Sequence, residues 1–326
     1  MLVLTRDDVR QLVRIEAIID VVEAAHVALA AGGASQAIDH PTRIPGGDGV
    51  MLPMAAAIDA IPVAGVKVLA DVPGNAARGL RNQHSTITLI DTETGRPRAL
   101  LDGIEITLQR TAAASAVATR HLARTDVRTL GFVGAGAQAR SHLAALSTVR
   151  DFDRVVVWSR RRETAERFRD EQPDDGLPVE VRDSPEAVVR AADVLCTLTP
   201  SREPIVRGAW FAPGLHINAV GAPPRPDHRE IDSAGMRRST IVVDDRESSL
   251  SRSGEVCVPI GAGELTAADI HADLGEVVSG VRPGRSYVEE ITLFDSVGLA
   301  LQDMAAADQV LAAARRAGVG LEVALS

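Results

Sequence analysis

The stretch 130–139, LGFVGAGAQA, constrains this chain more than any other. An apolar run that reads as a strand meets Gly134 and Gly136, and Ala139 completes a G-x-G-x-x-A spacing. Gly134 permits a tight turn, Gly136 lets the backbone approach a pyrophosphate, and Ala139 keeps the following helix close to the strand. Ala137 and Gln138 open that helix, whose N-terminus faces the phosphate charge. A tight turn without a ligand has the same spacing, so context decides. Strand patterns recur at 128–133, 154–158, 179–182, 194–199, 216–220 and 240–244. The helical segments QARSHLAALSTVR, RETAERFRDE and SPEAVVRAAD lie among them, the last with Ser184 as N-cap and Pro185 at the first helical position. This alternation predicts βαβ units and an α/β, Rossmann-type doubly wound parallel sheet.

The second strand of the unit ends at Trp158 and runs into Ser159-Arg160-Arg161-Arg162, about 20–25 residues past the glycines. A fold that prefers NAD places an acid there for the ribose 2′-hydroxyl, whereas arginine accommodates a 2′-phosphate. The competing reading is a solvated basic patch. The position favours NADP(H), with Arg160 and Arg161 as first contacts and Ser159 as helper. Thr197 and Thr199 end one parallel strand and Asn218 to Gly221 another, where ligands of such sheets lie.

Outside this region the chain reads differently. Residues 5–31 carry apolar positions at three- and four-residue steps, an amphipathic helical region. Residues 32–50 read as loop with short strands, 61–72 and 84–91 as β-rich runs, the second turning through TETGRP into a hairpin. The segment 106–125 is an alanine-rich helix, and a long helix closes the chain near Gly318.

Aromatic residues make up only 2% and the net charge is −9, which argues against a nucleic-acid partner. Cys196 and Cys257 form no pattern, in keeping with a reducing compartment. The charged start does not suit a signal peptide, and no run of 18 apolar residues occurs. The expected location is cytoplasmic, without a membrane. The histidines show no HxxH or HExxH spacing, so no metal site is expected.

Several motifs in order resemble the ornithine cyclodeaminase/mu-crystallin family across nearly the whole chain. They are GVKV (65–68), DTETGRPRALLDG (91–103), RTAAASAVAT (110–119), GAGAQA (134–139), HINAVGA (216–222), LGEVVSGVRPGR (274–285) and FDSVGLALQD (294–303). The resemblance implies an α+β substrate-binding and dimerisation domain, here 1–124 plus 300–326. A Rossmann domain, here 125–299, is inserted into it, and the molecule is a homodimer.

Lys67 lies alone in an apolar strand, a position that protects an edge or serves catalysis. The resemblance makes Lys67 the active-site lysine, Arg110 the substrate-binding arginine and Arg43 a further carboxylate contact. Paired arginines suit a planar carboxylate. His84 reads either as an acid near the nicotinamide or as an interfacial histidine. Glu276 matches an acidic position of the substrate pocket, with a solvated helix glutamate as the other view. The resemblance also puts Thr111, Thr197, Thr199, Val220 and Ser296 around the cofactor.

The cyclodeaminases of the family resemble NAVGGD, with a catalytic aspartate; this chain reads NAVGAPPRPDHREID. Pro223 exchanges no proton, and Asp227 comes several residues late. Missing acid and 2′-phosphate site agree on an NADPH-dependent reductase of a small cyclic ketimine, of Δ1-pyrroline-2-carboxylate or Δ1-piperideine-2-carboxylate type. The alternatives are a cyclodeaminase-type lyase using NAD, an amino-acid or N-substituted amino-acid dehydrogenase, and an NADP-dependent crystallin-like binding protein.

Overall fold

The structure is a computed structural model that describes residues 1–37 and 41–325. The chain forms two compact units, Met1–Arg110 with Leu299–Ser326, and Thr111–Gly298. The sequence places its cut at 124/125, after the alanine-rich helix; compactness places it inside that helix (Gly103–Leu122).

The first unit is built on β1 (Leu2–Leu4), β2 (Ala34–Gln36), β3 (Thr42–Arg43), β4 (Val50–Ile58), β5 (Val63–Asp71), β6 (Gln83–Ile90) and β7 (Pro97–Asp102). The sheet runs β1-β7-β6-β5-β4-β2, with β3 on the start of β4 and Leu321–Glu322 on the far edge. The β6–β7 hairpin forms as the sequence predicts, with Thr86 opposite Asp102. β2 and β3 fall in the expected loop over 32–50, of which 38–40 lie outside the described residues.

The sequence reading passes over β4. Pro53 stands in its middle, and proline normally argues against an interior strand. Here Pro53 sits opposite Val68 of β5, while the other edge pairs with β3 only at 50–51 and with β2 only at 56–58. The missing N–H therefore falls where no ladder needs it.

One face of this sheet buries Ile58, Val63, Lys67, Ile87 and Leu89. The helices Ile15–Ala30 and Ala300–Ala317 belong to the same unit, and the second packs on β4 and β5. Gly65 makes that approach possible. A Cβ there would lie 2.8 Å from the Met304 sulfur and 2.3 Å from the Thr88 carbonyl oxygen. The C-terminal helix stops at Gly318, whose φ of +64° suits glycine.

The second unit holds β8 (Thr129–Val133), β9 (Arg154–Trp158), β10 (Val179–Val181), β11 (Val194–Thr197), β12 (His216–Ala219), β13 (Thr240–Val243), β14 (Ile270–Asp273) and β15 (Thr292–Asp295). All pairs are parallel, in the order β10-β9-β8-β11-β12-β15-β13-β14. The first five follow the 3-2-1-4-5 part of a dinucleotide-binding sheet, and β15, the last strand in chain order, takes the sixth place ahead of β13. The α/β, Rossmann-type class read from the sequence is what forms. β14 and β15 are additions to that reading: each is four residues long, and β15 wedges between β12 and β13. Ser184 caps its helix as expected, accepting from the Ala187 N–H at 3.1 Å.

Candidate active site

In the second unit the strand order reverses between β8 and β11, and the cleft opens there. Gly134 has φ +112°, and a Cβ on it would lie 2.7 Å from the Leu198 oxygen. Only glycine lets the turn close against the loop after β11. Gly134, Gly136, Ser159, Arg160, Arg161, Thr199 and their neighbours line a cleft of about 320 Å³. Ala137 and Gln138 open the helix Ala137–Leu146 at its edge.

The three arginines part company here. Arg162 is engaged, donating to Glu166 Oε1 at 2.9 Å and Asp183 Oδ1 at 2.6 Å. Arg160 and Arg161 are exposed in the cleft wall, and among the described residues neither meets a carboxylate. Two guanidinium groups with Ser159 thus face the space beside the glycine turn, a donor set that fits a phosphate.

Other predicted cofactor residues lie apart from this cleft. Thr197 is fully buried at the end of β11, and Thr111 is buried in the alanine-rich helix. Val220 and Ser296 line a separate cavity of about 10 Å³, room for about one water. Ser296 Oγ donates to Asp244 at 2.9 Å. Asn218 turns inward, donating to Thr119 Oγ1 at 3.0 Å. The Glu276 carboxylate accepts from the Asp273 N–H at 2.9 Å in a capping box, which gives it a local structural use.

In the first unit, three side chains distant in sequence meet. Lys67 shares its strand face with Gly65 and therefore points toward the C-terminal helix. Its ammonium donates to both oxygens of Asp303 at 3.1 Å and to Thr107 Oγ1 at 2.8 Å. Arg110 donates from Nε to Asp303 Oδ1 at 3.1 Å and from Nη1 to Gln302 Oε1 at 2.8 Å. The Lys67 and Asp303 side chains are 1% and 0% exposed. Arg110 Nη2 has no partner among the described residues, so one edge of the guanidinium can donate to an anion. Lys67 occupies a central strand, between β4 and β6, so edge protection does not explain it.

Strand register sorts the remaining candidates. Arg43 pairs with Val50, and Val50 with Asp71, which shares the face of Lys67. Arg43 is exposed on that face, further along the sheet. His84 pairs with Ala70 and so belongs to the opposite face. His84 is exposed there and does not join Lys67. Of the sequence candidates, Lys67 and Arg110 come together, Arg43 shares their face and His84 does not. Asp303, Thr107 and Gln302 were not singled out. The available signal for Asp303 was an acid within the apolar run LALQDMAAA.

The lyase alternative meets its limit at Asp227. That residue is exposed, paired with Arg202 at 2.5 Å and His228 at 2.9 Å, and those partners hold its carboxyl down to about 2. It stays ionised and offers no proton near neutrality.

Among the described residues no helix is long and apolar enough to cross a membrane, and no cluster suited to a metal ion occurs. Residues 1–317 match the sequence profile of the ornithine cyclodeaminase/mu-crystallin family. The chain is similar to Thermococcus litoralis Δ1-pyrroline-2-carboxylate reductase, solved with NADH and L-proline: 37% identity, 99% of this chain and 100% of that one, TM-score 0.94. An archaeal alanine dehydrogenase dimer with bound NAD superposes with TM-score 0.95 at 35% identity, covering 100% and 99%. The ketimine reductase mu-crystallin of Rattus norvegicus is 40% identical over 262 residues, 80% of this chain and 79% of its own.

Proposed function

The chain belongs to the ornithine cyclodeaminase/mu-crystallin family, and from that premise we propose that it reduces the C=N bond of a small cyclic imino acid with NADPH. The observation that carries this reading is the buried Lys67–Asp303–Arg110 cluster, in a chain whose relatives include reductases of that substrate class. Arg110, with its open Nη2 edge, binds the substrate carboxylate, and Arg43 on the same face adds a second contact. Asp303 fixes both cations, and the ammonium of Lys67, whose three N–H groups rest on Asp303 and Thr107, exchanges its Thr107 contact for the imine nitrogen and holds it protonated. A reduced nicotinamide supplies the hydride that the imine carbon accepts. The protonated nitrogen of the product amine retains its hydrogen, and no further oxidant enters the balance.

The dinucleotide belongs in the second unit's cleft, its pyrophosphate at Gly134–Gln138. Arg160, Arg161 and Ser159 support a 2′-phosphate, hence NADPH over NADH. Thr111, Thr197, Val220, Ser296 and Glu276 remain proposals from family likeness alone. The departure at Ala222-Pro223-Pro224 and the surface position of Asp227 favour a reductase over a cyclodeaminase.

A homodimer fits both the dimer of the archaeal alanine dehydrogenase and an open groove on the first unit's sheet, walled by Ala37, Ala55, Ala57, Ala64 and Val66. The acyclic imine formed from a 2-oxo acid and ammonia offers the same carboxylate and nitrogen. The test therefore follows NADPH oxidation with Δ1-pyrroline-2-carboxylate, Δ1-piperideine-2-carboxylate, and pyruvate with ammonia. Turnover of a cyclic imine at least tenfold above pyruvate with ammonia supports the reading. Turnover of none of the three overturns it.

A further inference from the structure

We propose that Glu230 is a positioning residue for the cofactor: its carboxylate ties the loop after β11 to the loop after β12 and so fixes one wall of the cleft. This rests on the reading that the cleft takes the dinucleotide. Glu230 is fully buried and touches nothing that lies in the cleft space, so it acts through its partners. Its Oε1 accepts both the N–H and the hydroxyl of Thr199, each at 2.7 Å, and its Oε2 accepts the Gly221 N–H at 2.8 Å.

The carboxylate is itself anchored. The Glu230 carbonyl accepts from the N–H groups of Ile205 and Val206 at 2.9 Å, and its N–H donates to Glu255 Oε1 at 2.8 Å. The two loops it joins touch backbone to backbone. A Cβ on Gly221 would lie 2.0 Å from the Thr199 nitrogen and 2.3 Å from the Leu198 carbonyl carbon. Leu198, Thr199, Pro200, Ser201 and Ile205 then form the cleft wall facing the glycine turn and the arginines. Any shift of Thr199 moves that wall.

A carboxylate is acceptor-only and meets three donors here. Glutamine keeps the volume but turns an N–H₂ toward one of those donors, so Glu230→Gln must break a contact while filling the same space. Because the wall serves the whole dinucleotide, both NADPH and NADH should suffer alike. That separates Glu230 from Arg160 and Arg161, whose loss should alter only the ratio between them.

The experiment measures NADPH and NADH dissociation constants by fluorescence titration for the parent, Glu230→Gln, Thr199→Val and the double variant. Thermal midpoints and kinetics at saturating cofactor are recorded beside them. The expected result for Glu230→Gln is about a tenfold or greater loss for both cofactors. The NADPH:NADH ratio and the kcat at saturation should stay within twofold of the parent. Thr199→Val should cost both cofactors about threefold, and the double variant no more than Glu230→Gln alone. Parental affinity in a folded Glu230→Gln protein, an altered cofactor ratio, or fully additive losses would overturn the assignment. If Glu230→Gln does not fold, Thr199→Val decides, and parental affinity there overturns it. A parent that binds neither dinucleotide sinks the reading of the cleft, and the role of Glu230 with it.

Discussion

The cleft of the second unit and the cation cluster of the first both present arginine, and they differ in what surrounds it. Arg160 and Arg161 stand in solvent without a counter-charge among the described residues. Arg110 and Lys67 are buried on one carboxylate. Solvent charges cost little to keep, are screened by salt and contribute modest, adjustable preference. Buried cations are expensive to desolvate and stable only while paired, and in return their geometry is fixed before the ligand arrives. On the proposed function, one region selects a cofactor and the other prepares a reaction.

Breaking the buried pairing should give the largest effect. Asp303→Ala strands two cations and should cost roughly 3–5 kcal/mol of stability, read as the urea midpoint. Activity should fall with it by at least ~10²-fold. Asp303→Asn, which keeps the volume, should unfold less readily and remain nearly as inactive. If Asp303→Asn turns over like the parent, the cluster is packing and not chemistry.

Next comes Arg110→Ala, which should lower kcat/KM for the imine by ~10²-fold, given charged hydrogen bonds of about 1.5–3 kcal/mol each. NADPH affinity should hold. In the solvent-exposed cleft the effect should be smaller. Arg160→Ala should raise KM for NADPH about tenfold and leave NADH unchanged, and 0.5 M salt should shrink that difference. A loss that ignores salt would place the guanidinium in a buried contact instead.

Buried ionisable groups in the second unit sharpen the comparison through pH. Burial drives His142 down to about 4 and His216 down to about 3. The unfolded chain takes up protons that the fold refuses below pH 6.5, so both erode stability as pH falls from there. Burial drives Glu230 and Asp295 up to about 7. The fold keeps protons that the unfolded chain releases, so both erode stability as pH rises from about 4.5 to 7. Burial also raises Glu255, and raises Asp273 to about 6, so the carboxyls outweigh the two histidines and the parent's urea midpoint should fall as pH rises from about 4.5 to 6.5. Asp295→Asn should make that fall shallower, by on the order of 2 kcal/mol of stability across the window. The smallest effect is expected at His84→Ala, on the far sheet face, with kcat/KM within twofold of the parent.

The cleft was readable in the sequence because it is local: one turn and one strand end supply the glycines and the arginines. What the sequence left open was which arginines remain available, since the engagement of Arg162 depends on Asp183, beyond the helix that follows. The cluster was only half readable. Lys67 and Arg110 stood out as cations in apolar surroundings. Asp303, on the last helix, acquires its meaning only when Gly65 lets that helix down onto β5. His84 shows the same limit from the other side. A histidine near a strand's start carries no label for its face until the register with Ala70 is known. β4 escaped notice because the cost of Pro53 depends on a neighbouring edge that no local pattern reveals.

The most direct test of the account is the kcat/KM for Δ1-pyrroline-2-carboxylate reduction measured with NADPH and with NADH on the same preparation. A saturable reaction, at least tenfold more efficient with NADPH, is the predicted result. No imine-dependent oxidation of either cofactor, or equal efficiency with NADH, would contradict it.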